Sequence, residues 1–454
     1  MNSRGGRRVV KSYRDSRYQE GAQIPPLPGI GHAVRMNGSG AGQRRSRPLS
    51  AMRDIGPELI SGAADNDPTN MGTAAVVGAQ TGYRLCWVTL AVAPLLAVVL
   101  NIAAQVATAT RSDLQSLTLS RYGRRVAAFL MVSVVIVNLV TIAAGLKAGA
   151  AGIGLLAGVN SRWLILPLAA ALTALLLAGK YGQVVQILRF VLPGFLAFTV
   201  AAVLARPDWP QLLAGSLVPR LSLRPDEISG GLALLGTTLT SYVYVWETIE
   251  RGLEEAPGRG PASHRRARAR AGAGVGAVFT SLILWSMLAT SAATLGRTHQ
   301  SISSAQDAAP VLRPLAGTFA TRLFAAGLVV SAVVALPVLV ATTAYVVGAQ
   351  YRWRRGLSRP IDQARRFYGI VTGSVALAAG LALANVSVLG LLVAASVLGG
   401  IGTPVGLALL VRLGRDPEAM GGQPISRALA AAGWAVTALL GVAALLYIAE
   451  GIPW

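Results

Sequence analysis

The chain has 454 residues, of which 53% are hydrophobic and only 13% are charged, whereas roughly a quarter of an average soluble domain is charged. This composition excludes a soluble enzyme. The sequence contains no phosphate-binding Gly-Lys-Ser/Thr loop, so we expect that ATP does not drive this protein. Lys and Arg outnumber Asp and Glu by 41 to 19. They fall in short connections between apolar runs, which is typical of membrane topology rather than of nucleic-acid binding. We expect no enzyme activity, no resident cofactor and no nucleic-acid partner.

Apolar stretches of about 20 residues, each long enough to cross roughly 30 Å of hydrocarbon, recur after a basic beginning. Residues 1–54 carry 11 Lys or Arg and no apolar run, which predicts a disordered cytoplasmic tail without the core of a signal peptide. Residues 55–454 are predicted to form one transmembrane transporter domain. Its eleven predicted spans are 56–80, 84–109, 124–156, 162–179, 183–205, 228–253, 272–295, 320–349, 367–385, 387–413 and 428–449.

The basic residues also orient the chain. With the amino terminus inside, 31 of the 41 Lys and Arg lie on the cytoplasmic side, as the positive-inside rule requires. An odd number of spans then places Trp454 outside. We expect a multi-pass protein of the plasma (inner) membrane with the lipid bilayer as its partner, for which a monomer is sufficient. Small-residue pairs, Gly145–Gly149 and Gly373–Gly380, predict close helix contacts, and Lys147 within the third span is expected to be structural.

The first span contains ionisable groups, which are costly inside a membrane and indicate function. Its centre reads Asp65-Asn66-Asp67-Pro68-Thr69-Asn70. Because Pro68 removes a backbone donor and clashes with the preceding turn, the helix should unwind there and free carbonyls near Ala64. Two carboxylates beside free carbonyls form a composition that suits a cation.

The sixth span is interrupted by a hydroxyl-rich run from Gly236 to Tyr242, followed by Glu247. Such a run can line an unwound stretch, although Ser and Thr also occur in intact membrane helices by bonding back to a carbonyl. The first span opens a repeat over 55–205 and the sixth opens a repeat over 228–413, which leaves 428–449 as an extra helix. Interrupted helices at matching positions predict an inverted-repeat transporter with its site at the midplane.

The run from Gly56 to Asn70, with Asp67-Pro68-Thr69-Asn70 where the family has Asp-Pro-Gly-Asn, resembles the first span of the Nramp divalent-metal transporters. The resemblance covers about residues 54–413, and the sixth span with stretches 289–317 and 323–350 looks more like the Nramp-related magnesium branch. It implies an all-α polytopic protein with a five-plus-five inverted repeat of the LeuT-like (APC) type. It also implies import of divalent cations by alternating access.

The same resemblance implies which residues bind the metal. The family's metal-binding Asp and Asn fall on Asp67 and Asn70, and its backbone carbonyl ligand falls on Ala64. In the sixth span the transition-metal branch has a carbonyl-donating Ala, then a Met and then Pro-His. The residues of this chain at those positions are Thr237, Thr240, Ser241 and Tyr242.

The change from a thioether to the hydroxyl of Thr240 bears on the cargo. A thioether is soft and selects transition ions, whereas a hydroxyl is hard, so Thr240 predicts Mg²⁺ as the main substrate, with Mn²⁺ also carried. Mg²⁺ usually keeps several waters, and Asp65 and Glu247, with Ser241 and Tyr242, are expected to surround the ligands and hold such waters. The alternative for Asp65 and Glu247 is an ion pair with a group such as Arg251.

The histidines His32, His264 and His299 all lie outside the predicted spans, and Tyr242 and Glu247 stand where the transition-metal branch has histidines. The usual group that titrates near neutral pH is therefore missing, and we expect weak or no proton coupling. Three alternatives stay open. They are a proton-coupled Mn²⁺ or broad divalent-metal transporter, an organic-solute (amino-acid type) transporter of the same fold, and a membrane sensor that binds without flux.

Overall fold

The computed structural model describes residues 65–178, 192–220, 222, 224–254, 262–294 and 305–449, and every regular element in these ranges is a helix. The predicted tail, Ala64, His32 and His299 lie outside the described residues. The division into a tail and a transmembrane domain therefore stays a prediction.

The helices of the first half match the predicted spans in order. They are α1 (Pro68–Thr81), α2 (Cys86–Thr110), α3 (Leu114–Ala157), α4 (Ser161–Ala178) and α5 (Leu196–Leu204), the last preceded by the 3-10 turn Leu192–Phe195. A short helix, α6 (Trp209–Leu217), which the sequence did not predict, lies between the halves. Asp208 caps α6 by accepting a hydrogen bond from the backbone N–H of Gln211 at 3.1 Å.

The sixth span is split in two. The remaining helices are α7 (Pro225–Thr238), α8 (Ser241–Ile249) with the π-helical turn Glu250–Glu254, α9 (Ala262–Thr294), α10 (Ala305–Gln350), α11 (Arg365–Ala382), α12 (Val388–Arg415) and α13 (Arg427–Ala449). Eight described segments are long and apolar enough to cross a membrane. The helices α1, α5 and α11, which correspond to the other three predicted spans, are not among the eight.

Three connections between predicted spans are partly helical, whereas the candidate membrane segments Arg270–Thr294 and Phe324–Gln350 agree with the predicted spans 272–295 and 320–349. Residues 111–125 contain the first turns of α3, which kinks at Gly123 with a φ of 82° that glycine tolerates. The basic stretch Arg259 to Arg270 is helical from Ala262, and α10 begins at Ala305, well before the predicted start at 320.

Small residues let the two halves pack closely. A side chain on Gly145 or Gly149 would lie 2.9 and 2.8 Å from Leu336 and Ala332 of α10, which confirms the close contact predicted for this pair. The corresponding prediction for Gly373 and Gly380 is wrong, since no described atom lies within 4 Å of the position a Cβ would take at either residue. Helices α1, α7 and α12 meet beside the break in the sixth span.

Replacing Gly236 by alanine is expected to lower the free energy of unfolding by roughly 1–3 kcal/mol, the usual cost of overpacking. A Cβ on Gly236 would lie 2.4 Å from the carbonyl oxygen of Ser396 and 2.6 Å from the backbone nitrogen of Gly400, so α7 would have to move away from α12. Thermal unfolding in detergent checks this.

Gly231, on the same helix, is the matched control because no described atom lies within 4 Å of its Cβ position. Gly231→Ala should be neutral or stabilising, since alanine has the higher helix propensity. Equal melting temperatures for Gly236→Ala and Gly231→Ala would contradict the close α7–α12 contact.

Candidate metal site

Asp67 holds the start of α1, at the position where the sequence predicts a break in the first span; the residues of that span before Asp65 lie outside the described ranges. The Asp67 backbone is extended, with φ −73° and ψ 170°, and α1 begins at Pro68, a residue preferred at the first helical position. Asp67 Oδ1 accepts hydrogen bonds from the backbone N–H of Thr69 at 2.8 Å and of Asn70 at 3.0 Å, and the Thr69 hydroxyl also donates to it. Asp67 is therefore the N-cap of α1.

The residue in place of the family's glycine, Thr69, is compatible with this geometry. Thr69 lies inside α1, and the described non-glycine residues with positive φ are Arg111, Arg206 and Arg352. Because Thr69 needs no left-handed backbone, its β-branched side chain does not disturb the break.

The break in the sixth span lies at Leu239 and Thr240. Helix α7 ends at Thr238, Thr240 is extended with φ −64° and ψ 152°, and α8 starts at Ser241. This falls within the run from Gly236 to Tyr242 predicted to be interrupted.

The two breaks contact each other directly through side chains. The Tyr242 hydroxyl donates to Asp67 Oδ2 at 3.2 Å, and the hydroxyls of Thr69 and Thr237 lie 2.8 Å apart. Two of the residues proposed for the sixth span, Thr237 and Tyr242, thus lie beside the first-span residues that the sequence selected.

Several buried oxygen atoms at the junction have no hydrogen-bond partner in the described part of the chain. They are both carboxylate oxygens of Asp65, the side-chain oxygen of Asn70 and the hydroxyl of Ser241. The Asn70 amide nitrogen donates to the backbone carbonyl of Asp65, which leaves its oxygen as an acceptor. Buried acceptors without partners are rare in native proteins and indicate a missing ligand or water.

The charge at the junction is also uncompensated. Asp65 and Asp67 are completely buried, and neither forms an ion pair with any described residue. Burying carboxylates without a counter-charge is costly, so a cation would stabilise this arrangement. The described residues contain no group of three or more His, Cys, Asp or Glu side chains placed to hold a metal ion together. The possible metal ligands at the junction are carboxylate, amide and hydroxyl oxygens, which hard cations prefer.

The remaining predicted residues are less closely tied to this centre. Thr240 is buried, and its hydroxyl lies 3.3 Å from the position a Cβ would take on Gly399 of α12. Glu247 forms an ion pair with Arg251, the alternative noted for it above, and its water-holding role stays a prediction.

The contacts that surround the site were not predicted from the sequence. Ser331 of α10 donates to the backbone carbonyl of Asn66, and the hydroxyls of Thr73 and Ser396 lie 2.8 Å apart. Lys147 donates to the carbonyls of Ala384 and Val386, which agrees with the structural role expected for it.

In the described residues, which are helical throughout their regular elements, the split sixth span meets the start of α1 at a buried acidic centre, as expected of a LeuT-like transporter. Solved structures support this fold class. A manganese transporter mutant of Eremococcus coleocola aligns with a TM-score of 0.72 at 18% identity, covering 90% of this chain and 89% of that chain. A nucleobase-cation-symport-1 family transporter in a closed conformation aligns with a TM-score of 0.57 at 15% identity, covering 87% and 93%.

Residues 58–450 match the family described as Natural resistance-associated macrophage protein-like, Nramp. The chain belongs to the Nramp family. It is 30% identical over 311 residues to the divalent metal cation transporter MntH of Deinococcus radiodurans, covering 66% of this chain and 69% of that protein. It is 29% identical over 286 residues to MntH of Agrobacterium fabrum, covering 61% and 62%. The placement in the magnesium branch stays a prediction.

Proposed function

We propose that this protein is a secondary transporter that imports divalent metal cations by alternating access, with Mn²⁺ among its substrates. The observation that carries the proposal is the meeting of the two helix breaks around Asp67, beside unpartnered oxygens of Asp65 and Asn70. The relatives support the choice of cargo, since MntH is named for divalent metal cations and the Eremococcus coleocola protein for manganese.

The contacts between the breaks provide a mechanism for coupling ion binding to helix movement. Tyr242 and Thr237 on the sixth span reach Asp67 and Thr69 on the first, so an ion that replaces or tightens these contacts changes how the two spans are held. In inverted-repeat transporters, such a change lets one bundle rock against the other around a fixed site.

An open cavity lies at the carboxyl end of α1, at the opposite end of this helix from Asp67. It has a volume of about 690 Å³ and is lined by residues at the carboxyl end of α1, including Gln80 and Arg84, and by Asp208 and Gln211 of the connection between the halves. With the amino terminus in the cytoplasm, as the distribution of Lys and Arg favours, this cavity faces the extracytoplasmic side of the plasma membrane, and we propose it as the entrance for import.

Mg²⁺ is the second candidate substrate, and Thr240 is the observation that favours it. Thr240 occupies the position of the soft thioether in the transition-metal branch, and a hydroxyl does not discriminate against hard ions. The names of the relatives favour the Mn²⁺ or broad divalent alternative, so the preference expected from the sequence ranks second.

Proton coupling is proposed to be weak. None of the three histidines falls within the eight candidate spans, and histidine is the side chain that ordinarily titrates near neutral pH. The alternative is a coupled transporter in which a buried carboxylate carries the proton.

Flux into proteoliposomes tests the proposal. Vesicles with clamped membrane potential should carry one dye for the metal and one for internal pH, with protein-free vesicles as the control. We expect Mn²⁺ entry with little acidification, and competition by excess Mg²⁺ would support the hard-ion candidate. Entry of neither Mn²⁺ nor Mg²⁺, together with uptake of a labelled amino acid, would refute metal transport in favour of the organic-solute alternative.

A further inference from the structure

Asp65 is a buried acid to which neither the helix caps nor the contacts between the breaks assign a role. Its side chain is completely buried, and neither carboxylate oxygen has a hydrogen-bond partner among the described residues. A charged group kept in this condition is expected to have a function, because replacing it by an uncharged side chain would remove the cost of burying it.

The carboxylate of Asp67, by contrast, already accepts several hydrogen bonds. An ionised carboxylate has about four lone-pair sites. Asp67 accepts two backbone N–H groups and the Thr69 hydroxyl at Oδ1 and the Tyr242 hydroxyl at Oδ2. Since the single hydroxyl proton of Thr69 goes to Asp67, the Thr237 hydroxyl must be the donor in its contact with Thr69. Because three of the donors to Asp67 share Oδ1, Asp67 offers a ligand only the remaining lone-pair site on Oδ2.

The backbone links Asp65 to another unpartnered oxygen at the same junction. Asp65 lies two residues before Asp67 in the non-helical segment that precedes α1. Its own backbone carbonyl accepts from Asn70, whose side-chain oxygen has no partner in the described ranges. Asp65 thus offers two unpartnered carboxylate oxygens, and its backbone holds the amide of Asn70, whose side-chain oxygen is also unpartnered in the described part of the chain.

We propose that Asp65 is a direct ligand of the transported divalent cation and supplies the second of two negative charges that match the charge of that ion. This inference rests on the proposed function. Asp67 then serves both to cap α1 and to contribute the first charge, whereas Asp65 contributes oxygens that no other described group uses. A divalent cation bound between the two carboxylates forms a neutral complex, and a monovalent cation leaves one buried charge uncompensated.

Calorimetric titration of the purified full-length protein with Mn²⁺ at constant pH tests this, using Asp65→Asn as the nearly isosteric variant. We expect the Kd for Mn²⁺ to rise at least roughly tenfold, because a charge-assisted contact is replaced by a neutral one. Asp65→Glu, which keeps the charge, should bind more tightly than Asp65→Asn. Asp362→Asn is the control, since Asp362 is exposed in the connection before α11, and it should bind like the wild type.

Thermal unfolding separates a ligand from a structural residue. Without metal, Asp65→Asn should melt at the same temperature as the wild type or higher, because an uncompensated buried charge is gone. With saturating Mn²⁺, the upward shift in Tm should be smaller in Asp65→Asn than in the wild type, since ligand stabilisation follows affinity.

The outcomes distinguish this inference from the function on which it rests. If wild-type protein binds neither Mn²⁺ nor Mg²⁺, the proposed function fails. If the wild type binds Mn²⁺ and Asp65→Asn binds it within about twofold with the same Tm shift, Asp65 is not a ligand, and the proposed function stands. A metal-free Asp65→Asn protein that melts lower or does not fold would also overturn the inference, because it would show a structural role.

Discussion

Replacing Asp67 by alanine is expected to lower the initial rate of Mn²⁺ uptake into proteoliposomes at least roughly a hundredfold, equivalent to about 2.7 kcal/mol. The substitution removes the N-cap of α1, the bond from Tyr242 and one of two buried negative charges. The loss of the proposed ligand and of its negative charge accounts for the expected fall, because carboxylate oxygens are the ligands that hard divalent cations prefer. Uptake should be measured at equal amounts of reconstituted protein.

A cap far from the breaks provides the control. Ser387 caps α12 by accepting a hydrogen bond from the backbone N–H of Gly390 at 3.0 Å, and it is exposed. Ser387→Ala should lower stability by about 1 kcal/mol and leave Mn²⁺ uptake unchanged. Wild-type uptake by folded Asp67→Ala protein would contradict the assignment of the site.

Replacing Thr240 by methionine is expected to raise the preference for Cd²⁺ over Mg²⁺ about tenfold, because a thioether favours soft ions. The side chain is buried at the break between α7 and α8, where its hydroxyl packs closely against Gly399 of α12. Methionine is flexible enough to adapt to this packing. The preference is measured as the ratio of uptake rates for the two ions in the same vesicles.

Thr240→Leu separates the effect of sulfur from that of size. Leucine has similar bulk and no sulfur, so it should leave the Cd²⁺ to Mg²⁺ ratio close to that of wild type even if both rates fall from overpacking. If the methionine and leucine variants show the same ratio, the side chain at position 240 does not contact the ion.

The start of α1 and the break in the sixth span could be predicted, because local rules indicate both positions. Pro68 cannot continue a helix from the preceding turn, and two acids beside it are too costly for an ordinary span. The sixth span gave a weaker signal, since threonines also occur in continuous helices. Its break at Leu239 and Thr240 nevertheless lies within the predicted run.

The contacts between the breaks could not be predicted, because they join residues far apart in the chain. Thr69 and Thr237 are separated by 168 positions, and Tyr242 and Asp67 by 175. No local pattern encodes which hydroxyl reaches which carboxylate. The difference between Asp67, which accepts four hydrogen bonds, and Asp65, whose carboxylate accepts none from the described residues, likewise became visible only with hydrogen-bond geometry.

The kink at Gly123 and the ion pair of Glu247 both have local signals in the sequence. Gly123 lies between Arg121 and Arg124, and a glycine among charges at the end of an apolar run favours a kink. Glu247 and Arg251 are four residues apart, the spacing of an intrahelical pair. This ion pair is the alternative that the sequence offered for Glu247.

The central claim is that the cation is held where the two helix breaks meet, and anomalous diffraction from crystals grown with Mn²⁺ tests it most directly. We predict an anomalous peak within coordination distance of the side-chain oxygens of Asp67 and Asn70, adjacent to α8, and no peak there in crystals of Asp67→Ala. A peak elsewhere in the membrane domain, with the break empty at saturating Mn²⁺, would contradict the claim.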